Sequence, residues 1–166
     1  MCIWWVVALL VVPAQGQDLK SEKVQSEPIS QPVAFSHKLH MQFGLQCQIC
    51  HRSTETADSA GLPNVSDCMI CHRGIAVDRP EVQKLSKYAR EKKTIQWMRV
   101  YQIPYYVFFS HRNHRRAGID CSACHGKVQE RKVLWREKDL SMAACIECHR
   151  SHKASIECHL CHALDQ

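Results

Sequence analysis

The sequence predicts an internally duplicated chain with little regular secondary structure, in which short α-helices and loops wrap around inserted groups that replace a hydrophobic core. Three observations carry this: a gapless repeat, five identical cysteine pairs, and too little chain around each pair to bury much by side chains alone. The repeat runs FSHKLHMQFGLQCQICHR, residues 35–52, and FSHRNHRRAGIDCSACHG, residues 109–126. The copies agree at Phe, Ser, both His, Gly, both Cys and the last His, which marks a duplicated unit.

The 166 residues include 11 Cys and 11 His. Ten cysteines form C-x-x-C pairs: Cys47/Cys50, Cys68/Cys71, Cys121/Cys124, Cys145/Cys148 and Cys158/Cys161. Each pair is followed at once by a histidine, namely His51, His72, His125, His149 and His162. C-x-x-C-H is the attachment signature of c-type haem: two thiols add across the two vinyl groups of one porphyrin, and the adjacent histidine reaches the iron. At the chain's own histidine frequency, five such followers by chance has odds on the order of one in a million. Zinc ribbons use C-x-x-C knuckles but give no reason for a histidine behind each. A disulfide framework predicts varied spacings, and a thioredoxin-like motif sits singly in a βαβ pattern, which this chain lacks. The expected cofactors are therefore five covalently bound haem c groups with their iron.

The sixth coordination position of each iron decides between carrier and catalyst, because a strong-field side chain closes it and an open position admits small molecules. Outside the C-x-x-C-H motifs stand His37, His40, His111, His114, His152 and His159. Four of them form two H-x-x-H pairs, and residues three apart on a helix share a face. One pair can thus serve two closely packed haems, one iron each.

The pattern resembles the class III multihaem cytochromes c, the cytochrome c3 and c7 group, in which F-x-H-x-x-H precedes C-x-x-C-H. The resemblance covers residues 33–73 and 107–163. It implies that His37 ligates the haem of His51 and His40 that of His72, and likewise that His111 serves His125 and His114 serves His149. The haem of Cys158, Cys161 and His162 is left without a partner from either pair. His159 lies inside its own attachment loop and is poorly placed. Met142 sits near the position from which the c7 group supplies a ligand to its last haem, and His152 follows His149 on the same helical face. The first copy has Val65 and Ile75 at these two places, so both candidates occur only where an extra ligand is needed. Methionine would raise that haem's potential above the bis-histidine ones.

Between His37 and His162 the chain spends about 25 residues on each motif, too few to wrap every porphyrin in side chains. The haems must be the core, and without them the chain is expected to be largely unfolded. The expected organisation is a signal peptide at 1–16, a flexible tether at 17–32, a first module with two haems at 33–74, a connector at 75–106 and a second module with three haems at 107–166. In the connector, Asp78, Arg79, Pro80 and Glu81 read as a capping box with proline in the first turn, and Val82, Leu85, Tyr88 and Ala89 recur at helical spacing. Trp97, Tyr101, Tyr105, Tyr106, Phe108 and Phe109 are too aromatic for an exposed linker and are expected to cover haem faces and join the copies. Residues 54–64 read as a polar loop.

The leader MCIWWVVALLVVPAQGQ has an apolar run too short to span a bilayer comfortably and small residues suited to cleavage after Gly16. It lacks a preceding Lys or Arg, so retention as a membrane anchor is the alternative. The formal charge of +6 would ordinarily suggest nucleic acid or a membrane surface as partner; haem propionates would cancel it, which removes that inference. The expected function is periplasmic electron transfer between respiratory partners, such as a quinol-oxidising membrane complex, a hydrogenase or another oxidoreductase. The rival is a multihaem reductase acting at an open fifth haem. None of the five motifs ends in Lys, the residue that long pentahaem nitrite reductases use in one motif.

Overall fold

A computed structural model describes residues 27–163. The expected signal peptide and most of the tether lie outside this range. The described residues contain seven short α-helices: α1 (His37–Met41), α2 (Cys47–Cys50), α3 (Val65–His72), α4 (Pro80–Arg90), α5 (His111–Arg116), α6 (Cys121–His125) and α7 (Met142–Ser151). Single 3-10 turns occupy Val128–Glu130 and Cys158–Leu160. The one β element among the described residues is an isolated antiparallel bridge between Val107 and His162. No helix among the described residues is long and apolar enough to cross a membrane.

The serine, glycine and phenylalanine common to the two copies each have a structural task. Ser36 and Ser110 are the N-caps of α1 and α5, their hydroxyls accepting from the amides of Leu39 at 3.1 Å and Asn113 at 3.3 Å. Gly44 and Gly118 turn the chain after these helices at φ of +74° and +77°, where a side chain would strain the backbone. The Phe rings orient the imidazoles. Phe35 lies 4.2 Å from His40 at 30° and 4.8 Å from His37 at 88°, and Phe109 repeats this with His114 at 4.6 Å and 29° and His111 at 4.9 Å and 89°.

The copies embrace reciprocally. The amide of Lys38 in α1 donates to the carbonyl of Arg131 at 2.9 Å, and the amide of Arg112 in α5 donates to Ala57 at 3.1 Å. Lys38 and Arg112 occupy equivalent places in the repeat, as do Ala57 and Arg131 beyond the motif histidines. Each H-x-x-H helix is therefore seated on the loop that follows the other copy's first C-x-x-C-H.

Side chains build one small core. Val33, Val65, Met69, Leu85 and Ile95 cluster where α3 meets α4, with Cys68, Tyr88 and Trp97 against them. Val82 is buried beside Leu85 on α4 as its spacing predicts, whereas Ala89 is exposed. The expected capping box is absent: Arg79 is the N-cap, Pro80 opens the helix, and no side chain caps it. Glu81 turns instead to accept the amide of Ala34 at 2.7 Å, since that amide has no helical partner of its own.

The described end of the expected tether is pinned. Ile29 donates to Leu134 at 2.9 Å, and the Gln31 amide group exchanges two hydrogen bonds with the backbone of Met98, at 2.8 and 2.9 Å. The aromatic connector divides in its roles. Trp97 packs on the core and donates to Pro63 at 2.8 Å, and Tyr101 and Phe109 meet motif or H-x-x-H histidines, but Tyr105 is 95% exposed. Tyr105 lies in the turn that brings Val107 to His162, so its side chain points out of the bend.

Candidate haem centres

Three of the four histidine pairs expected on opposite faces of one iron are brought together. The rings of His40 and His72 are 6.1 Å apart, those of His111 and His125 6.3 Å, and those of His114 and His149 6.0 Å. Two imidazoles sharing one metal at bonds of about 2 Å have centroids about 6 Å apart, so each gap fits a single iron. His37 and His51 lie within electrostatic reach of each other. His162 differs: its ring neighbour is Tyr106, at 6.2 Å.

Backbone carbonyls fix the imidazoles. Nδ1–H of His51 donates to Gly61 at 2.9 Å, His72 to Ile75 at 3.0 Å, and His149 to Ser155 at 2.7 Å. On the other side, His40 donates to Ser36 at 2.9 Å, His111 to Asp58 at 2.8 Å, and His114 to Ser110 at 2.8 Å. A carbonyl can only accept, so Nδ1 carries the proton and the lone pair stays on Nε2, the tautomer a metal ligand needs. Burial, aided by neighbouring imidazoles, lowers His37 to about 4 and His125 to about 4, which keeps both neutral. The Nδ1 of His37 is buried without a partner.

The His125 segment is held from behind. Tyr101 meets its ring edge-on at 4.7 Å, donates its hydroxyl to the His125 carbonyl at 3.1 Å, and accepts the amide of Glu137 at 2.8 Å. Glu137 also pairs with Arg131 at 2.5 Å, which holds its carboxyl below the usual range. Gly126, next to His125, has φ of +69°, and a Cβ there would meet the Glu137 side chain at 2.5 Å. Gly126→Ala is expected to cost about 1–3 kcal/mol, read as a lower denaturation midpoint of the haem-loaded protein at unchanged haem content.

None of the ten motif cysteines is paired in a disulfide. Burial is the leading cause that raises Cys50, Cys68, Cys121, Cys124 and Cys145, and nearby thiols add to it. No group of three or more His, Cys, Asp or Glu among the described residues is arranged around a metal ion. The zinc-ribbon geometry is thus absent there.

The apolar surface fits the same group. Among the described residues fifteen large hydrophobic side chains are exposed, six hydrophobic residues are buried, and no side chain is fully enclosed. Exposed residues inside or beside the motifs, including Ile49, Ile70 and Leu160, offer the apolar contact a porphyrin face requires. Of the two candidates for the last haem, Met142 is 67% exposed on the first turn of α7. His152 ends that helix with Nδ1 toward Cys148 O at 3.0 Å and Ser151 Oγ at 3.0 Å. Neither is paired with His162. The carbonyls of Asp58 and Gly61 had no signal in the sequence, because backbone acceptors carry no residue code; Tyr101 was read only as a covering ring, and its hydroxyl's bonds to His125 and Glu137 join segments 24 and 36 residues away.

The family model described as "Class III cytochrome C family" matches residues 13–102. A curated relative, the menaquinone reductase multiheme cytochrome c subunit of Nitratidesulfovibrio vulgaris (strain Hildenborough), is 30% identical over 161 residues, covering 80% of this chain and 76% of its own. With paired imidazoles, C-x-x-C-H motifs and these two matches together, the chain belongs to the class III cytochrome c family, whose members bind haem c covalently.

Proposed function

We propose that the chain is an exported, periplasmic, five-haem electron-transfer protein whose sites are sealed on both axial sides and which works with a quinone-linked membrane complex. The observation that carries this reading is the set of three imidazole pairs at 6.0–6.3 Å, each joining an H-x-x-H histidine to a C-x-x-C-H histidine. Haem, when bound, supplies a one-electron iron couple in such a site. The chain's own contribution is spacing, ligation and burial. Attachment is through the five cysteine pairs and ligation through His51, His72, His125, His149 and His162, with His37, His40, His111 and His114 opposite the first four. Similarity to a menaquinone reductase subunit supports the quinone-linked partner, and the apolar leader supports export.

For the last site, Met142 is the ligand we assign. In the first copy the equivalent Val65 is 6% exposed under α4, whereas the same face of α7 is uncovered at Met142. Met142→Ala is expected to abolish a weak sulfur-to-iron near-infrared band and to turn one fifth of the iron high-spin. The same outcome from His152→Ala, with Met142→Ala silent, would transfer the role to His152.

A pyridine haemochrome count together with low-temperature EPR of the oxidised protein tests the reading. Five haems, all low-spin, are expected. One fifth of the iron high-spin in the unaltered protein would favour a reductase at the last haem, where His162 has Tyr106 and no histidine as its ring neighbour.

A further inference from the structure

We propose that the five attachment sites form one unbranched row in the order His72, His51, His125, His149, His162, so that the second site in sequence is a terminus of the row. This rests on the five-haem reading above. Sequence order would instead place His72 between His51 and His125.

Four junctions define the row. His37 and His40 share α1 three residues apart and belong to the sites of His51 and His72, which makes those two neighbours. Cys50 lies within electrostatic reach of both Cys68 and Cys71, in agreement. The second junction joins the copies through four residues of one loop: the carbonyl of Gly61 holds His51, and the carbonyl of Asp58 holds both the ring and the amide of His111. Since His111 faces His125 at 6.3 Å, the sites of His51 and His125 are side by side. Cys47 and Cys121 approach closely enough to interact through their thiols, and His51 is near His125. The third junction repeats the first, with His111 and His114 on α5 and Cys124 near Cys145 and Cys148.

The fourth junction explains why the row extends at one end only. In α3, Val65, Cys68 and Met69 form a face that α4 and the residues around Ile95 cover. The equivalent residues of α7 are Met142, Cys145 and Ile146, and Met142 is exposed. The last motif is tied to residues 107–108 by the Val107–His162 bridge and by the Phe108 amide, which donates to the Cys161 carbonyl at 2.8 Å; the next residue, Phe109, stacks on His114 at 4.6 Å, and the His114 ring lies 6.0 Å from that of His149. The last site thus takes, in the second copy, the place that α4 fills in the first. A connector helix closes the His72 end, and an additional site continues the other. With one-electron carriers in place, transit between the ends must cross the sites of His51 and His125, where the two copies meet.

The test is paramagnetic NMR of the oxidised, haem-loaded protein, reading through-space contacts between substituents of neighbouring haems. Assignment uses the Cys158→Ala/Cys161→Ala variant, which removes one terminal set. Contacts are expected between the haems of His72 and His51, His51 and His125, His125 and His149, and His149 and His162, with none between His72 and His125. Removing the terminal set should shift the resonances of the His149 haem and leave those of the His72 haem in place. Contacts between the His72 and His125 haems would overturn the order. Should the variant fail to mature, iron positions from anomalous scattering of crystals of the unaltered protein decide the same question. A haem count other than five defeats the reading beneath; a count of five with the sequence-ordered pattern defeats the row alone.

Discussion

Chain produced without covalent haem is expected to show no cooperative thermal transition, to bind a hydrophobic dye and to give a far-ultraviolet spectrum with little helix. The haem-loaded protein should melt cooperatively. The reason lies in how little the side chains bury: five residues cluster between α3 and α4, and among the described residues no side chain is fully enclosed. At about 25 cal/mol per Å² of apolar area, so small a cluster cannot offset an ordering cost of about 1–2 kcal/mol per residue over more than a hundred residues. The helices give no independent support, since α1, α2, α5 and α6 have four to six residues each, far below the length at which isolated helices persist. A cooperative transition in haem-free chain would show that the side chains suffice and that the haem-core reading is wrong.

The second large effect is expected from His111→Ala, because this imidazole serves two purposes. Its ring lies 6.3 Å from that of His125, centroid to centroid, and its Nδ1–H reaches Asp58 in the other copy at 2.8 Å. Loss of the first should convert one fifth of the iron from low to high spin. Loss of the second should lower stability by about 1 kcal/mol beyond the effect of the open iron. The two are separable: added imidazole should restore the low-spin signal while leaving the denaturation midpoint depressed. Recovery of both by imidazole would mean that the bond to Asp58 contributes nothing. His114→Ala is the control, since its Nδ1 partner, Ser110, lies in its own helix cap.

The motifs were legible in the sequence because they depend on residue type and local spacing, whereas the pairing of each H-x-x-H histidine with a motif histidine came only from the family resemblance. A serine cap, an H-x-x-H face and a C-x-x-C-H turn are each set within a few residues, and the structure brings His40, His111 and His114 to the motif histidines that the family resemblance implied. Long-range matters were not legible. That the Glu81 side chain would reach from α4 to hold Ala34, and that Gln31 would clamp Met98, depends on segments meeting across 47 and 67 residues of chain. The loop 54–64 read as merely polar because its useful atoms are main-chain oxygens. Its Thr54 is buried, and its Asp58 and Gly61 carbonyls steady histidines of both copies. The connector aromatics were half legible, since ring composition tells nothing of which side chains a turn will expel.

The reciprocal seating of α1 on Arg131 and of α5 on Ala57 has the form of an isologous contact, in which patch i meets patch j and j meets i. Two separate chains, each carrying a single unit, could form the same contact as a twofold homodimer. Such an ancestor would be obliged to be identical at both extremities, because any change in one half is copied in the other. Joining the halves through residues 75–106 lifts that obligation, so that a helix can stop one extremity while a further cysteine pair lengthens the opposite one, giving the conductor a front and a back.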